Sequence, residues 1–182
     1  QDLKVHAKVA LIKRETEGKI RSYAFFGTGN FNESTAGIYA DHGLLTSHKG
    51  MCKELNHVFN YLQNGDNIPK TLKHLLVARF NMQQRFLDMI DREIAHTKNG
   101  QSGRVIIKLN NLEEESMIEK LYEASQAGVQ IDLIIRGICK LGTACIGEAP
   151  NGHIQIVRQI ERQLLWLLVV LVHRGIHNGE RA

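Results

Sequence analysis

Two side chains near the start of the chain, His6 and Lys8, have the types and spacing for phosphoryl chemistry. The stretch Lys4–Ile12 has a period of two, with Val5, Ala7, Val9 and Leu11 on one side, which is typical of a strand with one buried face. Residues two apart on such a strand lie side by side, roughly 6–7 Å apart. An imidazole nucleophile and a fixed cation would then face one anion. A strand that carries His and Lys on its solvated face is the alternative. The residues predicted to face inward are Val5, Ala7, Val9 and Leu11.

A glycine-rich loop, Gly27–Glu33, follows this stretch and adds groups that can bind an anion. Glycines let backbone N–H groups approach a phosphoryl group closely, and Asn30 and Asn32 supply amide donors. The pattern therefore indicates a compact anion site. The same residues also occur in ordinary hairpin turns or at helix starts, where Asn32 or Ser34 would cap a short helical turn.

The elements that position these residues are predicted from hydrophobic periodicity. Helices are expected over 51–62, 81–97, 113–127 and 160–165. Strands are expected over 21–26, 75–78, 105–109, 129–136, 154–157 and 166–172, with an extended segment at 38–46 and a turn at 14–19. The strand–helix–strand unit from 105 to 136 predicts a parallel pair with a right-handed crossover. Arg136 ends its second strand, where ligands of open α/β sheets usually bind.

Further motifs stand in one order between about Lys4 and Lys140. They are His6-Ala7-Lys8, Gly27–Ala36, Tyr39-Ala40-Asp41, Asn81-Met82, Asp91–Ile94, Lys108–Leu112, Leu121–Ser125 and Arg136–Cys139. Together they resemble polyphosphate kinase of the long, phospholipase D-like type. The resemblance implies an α/β fold made of phospholipase D-like sandwich halves, with mixed sheets flanked by helices. It places a first catalytic domain at 1–73 and a second at 74–182.

The resemblance implies reversible transfer of the γ-phosphoryl group of ATP to polyphosphate, through a phosphohistidine on His6. Lys8, Asn30 and Asn32 fall on the His-Lys-Asn pattern shared with phospholipase D-like enzymes. The family's nucleotide-contacting residues fall on Tyr39 and Arg136. The implied partners are ATP or ADP, inorganic polyphosphate, and further copies of the intact enzyme. Mg²⁺ is the implied cofactor, with ligands outside this stretch.

The resemblance fades after Lys140. Trp166 stands where the family's second catalytic histidine is expected, and His173 and His177 are out of register. The family's long N-terminal part, with its magnesium-binding arginines, has no counterpart here, so we expect this segment alone to be inactive. Two other functions stay open: a phospholipase D-like phosphodiesterase or nuclease, and a catalytically inactive binding fragment.

Composition sets wider bounds on the function. The 182 residues suffice for one or two domains, 43% of them are hydrophobic, and the net charge of +4 suits a polyanionic partner. Such a partner could be polyphosphate, a nucleotide or nucleic acid, but scattered cations without a dense basic tract are more typical of a solvated surface. No nucleic-acid partner is expected. Three cysteines without a paired motif (Cys52, Cys139 and Cys145) indicate a reduced, cytoplasmic protein. The apolar run 164–172 is too short to span a bilayer, which leaves a peripheral association with the inner membrane face open.

Overall fold

The structure, a computed structural model, describes residues 4–65, 72–142, 153–158 and 169–170. The chain divides into two compact units, the first running to Phe86 and the second beginning at Leu87. One sheet is antiparallel and the other is mostly parallel. The chain is therefore a mixed α/β protein, as predicted. The assignment of 1–73 and 74–182 to two catalytic domains stays a prediction.

The first unit is built on a three-stranded antiparallel sheet in the order β1-β2-β3. Its strands are β1 (Lys8–Thr16), β2 (Lys19–Gly27) and β3 (Gly43–Thr46). Glu17 and Gly18 join the first two strands with φ angles of 53° and 68°. Two consecutive left-handed residues match the twist of a tight hairpin, so the turn is shorter than the predicted 14–19.

Helix α2 (Lys49–Asn64) covers one face of this sheet and confirms the helix predicted over 51–62. The Nδ1 atom of His48 accepts the Met51 N–H at 3.2 Å and caps its start. Gly65 ends it in the left-handed conformation, at φ 72°. Leu55, only 2% exposed, lies in the core of this unit. The cluster consists of Ala24, Cys52 and Leu55, with Val9, Leu11, Phe26, Val58, Phe59 and Leu75 packed against it.

The first strand starts later than predicted. It begins at Lys8, which pairs with Gly27, the last residue of β2. His6 therefore precedes the strand, because β2 ends at Gly27 and offers no residue to pair with the chain before Lys8. Val5 is 56% exposed and does not face inward, whereas Val9 and Leu11 do, as predicted.

Two further predictions in the first unit are wrong. Within 38–46 only β3 is a strand, because Ile38 and Tyr39 form a turn in which both backbone N–H groups donate to Thr35 at 3.1 Å. The strand predicted over 75–78 is an irregular segment. Its backbone groups bond to side chains: Asn81 accepts the Val77 N–H at 2.8 Å and donates to the Leu75 carbonyl at 2.9 Å.

The second unit follows the predicted strand–helix–strand pattern. Helix α3 (Met82–Lys98) leads into it, then β4 (Arg104–Leu109), α4 (Glu115–Gln126) and β5 (Gln130–Ile135). β4 and β5 are parallel, as expected. Helix α4 ends before Gly128, which has φ 89°.

Two later strands complete the second sheet, β6 (His153–Arg158) and β7 (Val169–Val170), in the order β6-β5-β4-β7. β6 confirms the strand predicted over 154–157. Ile131, Leu133 and Ile135 are at most 1% exposed and pack around Leu121 of α4. The predictions for Cys145, Trp166, His173, His177 and the helix 160–165 lie outside the described residues.

Candidate phosphoryl-transfer site

His6 and Lys8 are in direct contact. The Lys8 Nζ atom lies 3.1 Å from Nδ1 and 3.2 Å from Nε2 of His6. The imidazole is exposed, and the lysine, the first residue of β1, is half-buried. In a neutral imidazole one ring nitrogen carries a proton and the other a lone pair. The contact therefore places the His6 imidazole beside a cation at the surface.

The charge of Lys8 is influenced by its surroundings. Partial burial lowers the pKa of Lys8 below its ordinary value, and the Asp41 carboxylate opposes this shift. Asp41 therefore belongs to the electrostatic environment of the pair. Sequence reasoning included Asp41 in a motif but gave it no role.

The glycine-rich loop is braced by the segment just before β3. The Thr28 N–H donates to the His42 carbonyl at 3.0 Å, and the His42 N–H donates to the Thr28 hydroxyl at 2.9 Å. The Asp41 carboxylate lies directly against Gly29, where an added Cβ would overlap it. A side chain at position 29 would therefore displace the Asp41 carboxylate. The loop is held in one shape beside an acidic group that also influences Lys8.

The two predicted asparagines have different environments. Asn32 caps α1 (Glu33–Ala36): its Oδ1 atom accepts the Thr35 N–H at 3.2 Å and the Ser34 hydroxyl at 2.6 Å. Asn32 is one of the two caps that the sequence suggested, and the cap engages the Oδ1 side of the amide. Asn30 is exposed in the loop, and its carbonyl accepts the Asn32 N–H at 2.8 Å. Tyr39 is half-buried in the turn after α1.

Arg136 belongs to the second unit and follows β5 directly. Its Nε atom donates to Oδ1 of Asn110 at 2.9 Å. The next residue, Gly137, donates its N–H to the Asn110 carbonyl at 2.7 Å, and Ile138 donates its N–H to Oδ1 of Asn111 at 3.0 Å. The two asparagines at the end of β4 thus fix the turn that carries the guanidinium.

Sequence reasoning missed the role of Asn110. The signal was present, because Asn110 lies in the Lys108–Leu112 motif and directly follows a strand predicted to be parallel to the one that ends at Arg136. The ends of adjacent parallel strands meet at one sheet edge, so the two side chains could have been expected as neighbours.

The described residues offer little to a metal ion. Within them no group of three or more His, Cys, Asp or Glu side chains is close enough to hold one. Cys52 is buried and Cys139 is half-buried, and both are free thiols. Mg²⁺ with ligands outside this stretch stays a prediction. Across the described segments, no helix combines the length and the apolar character that crossing a bilayer requires.

These features define a class: a two-unit α/β protein with a His-Lys pair and a braced glycine loop in one unit, and an asparagine-supported arginine at a strand end in the other. Two family models match the chain. Polyphosphate kinase C-terminal domain 1 matches residues 1–68, and polyphosphate kinase C-terminal domain 2 matches residues 75–174. The chain belongs to the polyphosphate kinase family, in the part formed by these two domains.

Individual relatives agree with this assignment. The chain is 39% identical to the polyphosphate kinase of Bacillus cereus over 98% of its own length and 24% of the relative. It is 42% identical to that of Synechocystis over 95% of this chain and 23% of the relative. The crystal structure of polyphosphate kinase from Porphyromonas gingivalis matches with a TM-score of 0.74 and 41% identity, over 88% of this chain and 26% of that one. The chain thus spans about a quarter of the relatives that it matches.

Proposed function

We propose that this chain carries the phosphoryl-accepting part of a polyphosphate kinase that moves the γ-phosphoryl group of ATP to inorganic polyphosphate, reversibly. The relatives named polyphosphate kinase support the activity. The observation that carries the assignment to His6 is its contact with Lys8 beside a braced glycine loop. The fold proposed for both units is the phospholipase D-like sandwich half.

The proposed step is in-line attack by a neutral ring nitrogen of His6 on the γ-phosphorus. A P–N bond forms, the bond from phosphorus to the bridging oxygen breaks, and ADP leaves. Lys8 and the amides of Asn30 and Asn32 contact the equatorial oxygens, where charge spreads in the transition state. The terminal phosphate of a polyphosphate chain then attacks the phosphohistidine and restores the imidazole.

Tyr39 and Arg136 are proposed to bind the nucleotide. The guanidinium is suited to this role because its planar fork matches phosphate oxygens. The Asn110 acceptor supports this role because it orients the Nε side of the guanidinium. ATP, ADP and polyphosphate are thus the proposed partners. Self-association of the intact enzyme and a cytoplasmic or peripheral membrane location stay predictions from the sequence.

The test is a chimaera in which this chain replaces the matching segment of the Bacillus cereus relative. Incubated with γ-labelled ATP and Mg²⁺, the chimaera is expected to acquire a label that acid removes and alkali does not. His6→Ala should abolish the label, because it removes the nucleophilic nitrogen. His57→Ala, on α2, is the matched control and should be labelled like the parent chimaera. An acid-labile label that persists in His6→Ala contradicts the proposal.

A further inference from the structure

A basic groove lies at one end of the first unit, formed by the β1–β2 hairpin and the start of α2. Its volume is about 700 Å³. Its floor includes Ser22 of β2 and Cys52 of α2, whose thiol donates to the Ser22 carbonyl at 3.5 Å. The cations that line it are Lys13, Lys19, Arg21, Lys49 and Lys53. None of the candidate phosphoryl-site residues lines it, so the two are separate.

The charge of this groove differs from that of the chain. The whole sequence has 23 Lys and Arg against 19 Asp and Glu. Among the described residues, the groove lining has five cations and no carboxylate. Within the described residues, none of the five forms an ion pair. Because these cations form no ion pair within the described residues, they can attract an anionic ligand from solution.

The start of α2 adds to this positive field. A helix N-terminus carries a partial positive charge, which natural helices usually offset with Asp or Glu in the first turn. The first turn of α2 has no acidic residue and instead begins with Lys49. This arrangement is unfavourable in isolation, and an anion bound in the groove would offset it.

We propose that this groove binds a segment of an inorganic polyphosphate chain away from the reacting end, as an anchoring site. The identity of the ligand rests on the proposed function. Single-stranded nucleic acid fits the groove less well, because it is usually bound by several aromatic side chains on which successive bases stack. In the part of the lining that the structure describes, Tyr23, 38% exposed, is the one aromatic residue. A ligand of phosphates alone needs only the cations.

The test measures binding of the 182-residue chain to dye-labelled polyphosphate of defined length by fluorescence anisotropy, at several salt concentrations. The variant Lys49→Gln with Lys53→Gln removes two groove charges on exposed positions of α2. We expect affinity to fall about tenfold, since each exposed charge contact contributes a few-fold. The dependence of affinity on salt should weaken, with a slope lower by about 1 to 2.

The matched control is Lys73→Gln with Lys98→Gln, which removes the same charge from exposed positions outside the groove. Its affinity should stay within about twofold of the parent. Equal loss in both double variants would mean diffuse attraction and overturn the proposal, as would a parent chain that does not bind polyphosphate. An oligonucleotide that binds as tightly as polyphosphate would overturn the choice of ligand.

Two further measurements separate this inference from the proposed function. Lys13→Gln with Lys19→Gln removes groove charges without altering α2, so it should repeat the loss of affinity with the helical circular dichroism unchanged. His6→Ala should bind polyphosphate like the parent, because His6 is outside the groove. If the chimaera is not labelled on His6 but the groove variants still lose affinity, the phosphohistidine is wrong and the groove stands. If labelling succeeds and the groove variants bind normally, the groove is wrong.

Discussion

Replacing Glu54 by glutamine is expected to loosen the segment that follows α2. Glu54 is 9% exposed, and its carboxylate accepts backbone N–H groups from three consecutive residues. Oε1 accepts from Lys73 at 2.8 Å and from His74 at 3.3 Å, and Oε2 accepts from His74 at 3.0 Å and from Leu75 at 2.8 Å. This side chain therefore holds three amides that have no strand partner.

The magnitude follows from the change in the acceptor. A hydrogen bond to a charged group contributes about 1.5–3 kcal/mol, against about 0.5–1.5 kcal/mol for a neutral one. Glutamine presents one oxygen in place of two and turns an N–H₂ group towards the amides. We expect Glu54→Gln to lower the free energy of opening by about 2–3 kcal/mol. Amide exchange in the segment 72–77 should then accelerate roughly 30- to 150-fold.

The dependence on pH has a definite sign. Burial raises the pKa of Glu54, but the three N–H groups and the nearby His74 outweigh it, and the pKa lies below its ordinary value. The unfolded chain therefore binds this proton more readily, at a pKa of about 4.3. The stabilisation is fully present above that pH and is lost as the pH falls through the folded-state pKa.

Hydrogen exchange read by mass spectrometry over a peptide covering 72–77 is the assay. The parent should show exchange, corrected for intrinsic rates, that accelerates as the solution is acidified below about pH 4.3. Glu54→Gln should start fast and lose that pH dependence. Glu15→Gln, an exposed carboxylate on β1, is the control and should match the parent. Unchanged protection in Glu54→Gln at neutral pH would refute the reasoning.

Two other outcomes follow from the second unit. In the chimaera, Asn110→Ala should raise the KM for ATP about fivefold with a smaller effect on kcat, because the Nε atom of Arg136 loses its acceptor. Asn110→Asp, which keeps an acceptor oxygen, should restore it, and an unaltered KM in Asn110→Ala would exclude a positioning role. Leu121→Ala, at a position that is 0% exposed, should cost about 2–5 kcal/mol in urea denaturation. Glu119→Ala on the exposed side of α4 should cost under about 0.5 kcal/mol, and similar losses in both would contradict the assigned core.

Periodicity predicted the elements whose buried faces repeat over several turns or strand residues. Helices α2, α3 and α4 and strands β4 and β5 all lie within a few residues of their expected bounds. Each of these elements buries apolar residues whose spacing places them on one face in a helix or in a strand, but not in both. Such a local pattern is sufficient to predict the element, because the spacing of its apolar residues does not depend on which other elements form the core.

The failures at 75–78 and at the start of β1 have a different cause. The apolar run 75–78 resembles a short buried strand, yet the Leu75 N–H donates to Glu54, which lies 21 residues earlier. Asn81 accepts the Val77 N–H and donates to the Leu75 carbonyl. The start of β1 is set by where β2 stops, at Gly27. Neither Glu54 nor the end of β2 can be recognised from the segment that it affects, because each lies far away in the sequence.

In the candidate site, too, the contact between residues close in sequence was predicted, and the contacts between residues distant in sequence were not. The two-residue spacing of His6 and Lys8 predicted that they would be neighbours, and they are in contact even though His6 lies before the strand. The brace of the loop was not predictable, since it requires Asp41 and His42 to return to Gly29 and Thr28 after the turn of α1.

The geometry of the loop is therefore set by the sheet more than by the short helix α1 that follows it. Gly27 pairs with Gly43, and the Phe25 ring lies so close to both that a Cβ on either would approach it to 2.8 Å. The Phe25 ring thus packs over the Gly27–Gly43 pair, and the register of β2 and β3 brings the segment before β3 back to Thr28 and Gly29. A site built in this way requires that β1, β2 and β3 are paired. The glycine-rich loop beside the proposed nucleophile therefore takes its position only when the whole first unit is folded.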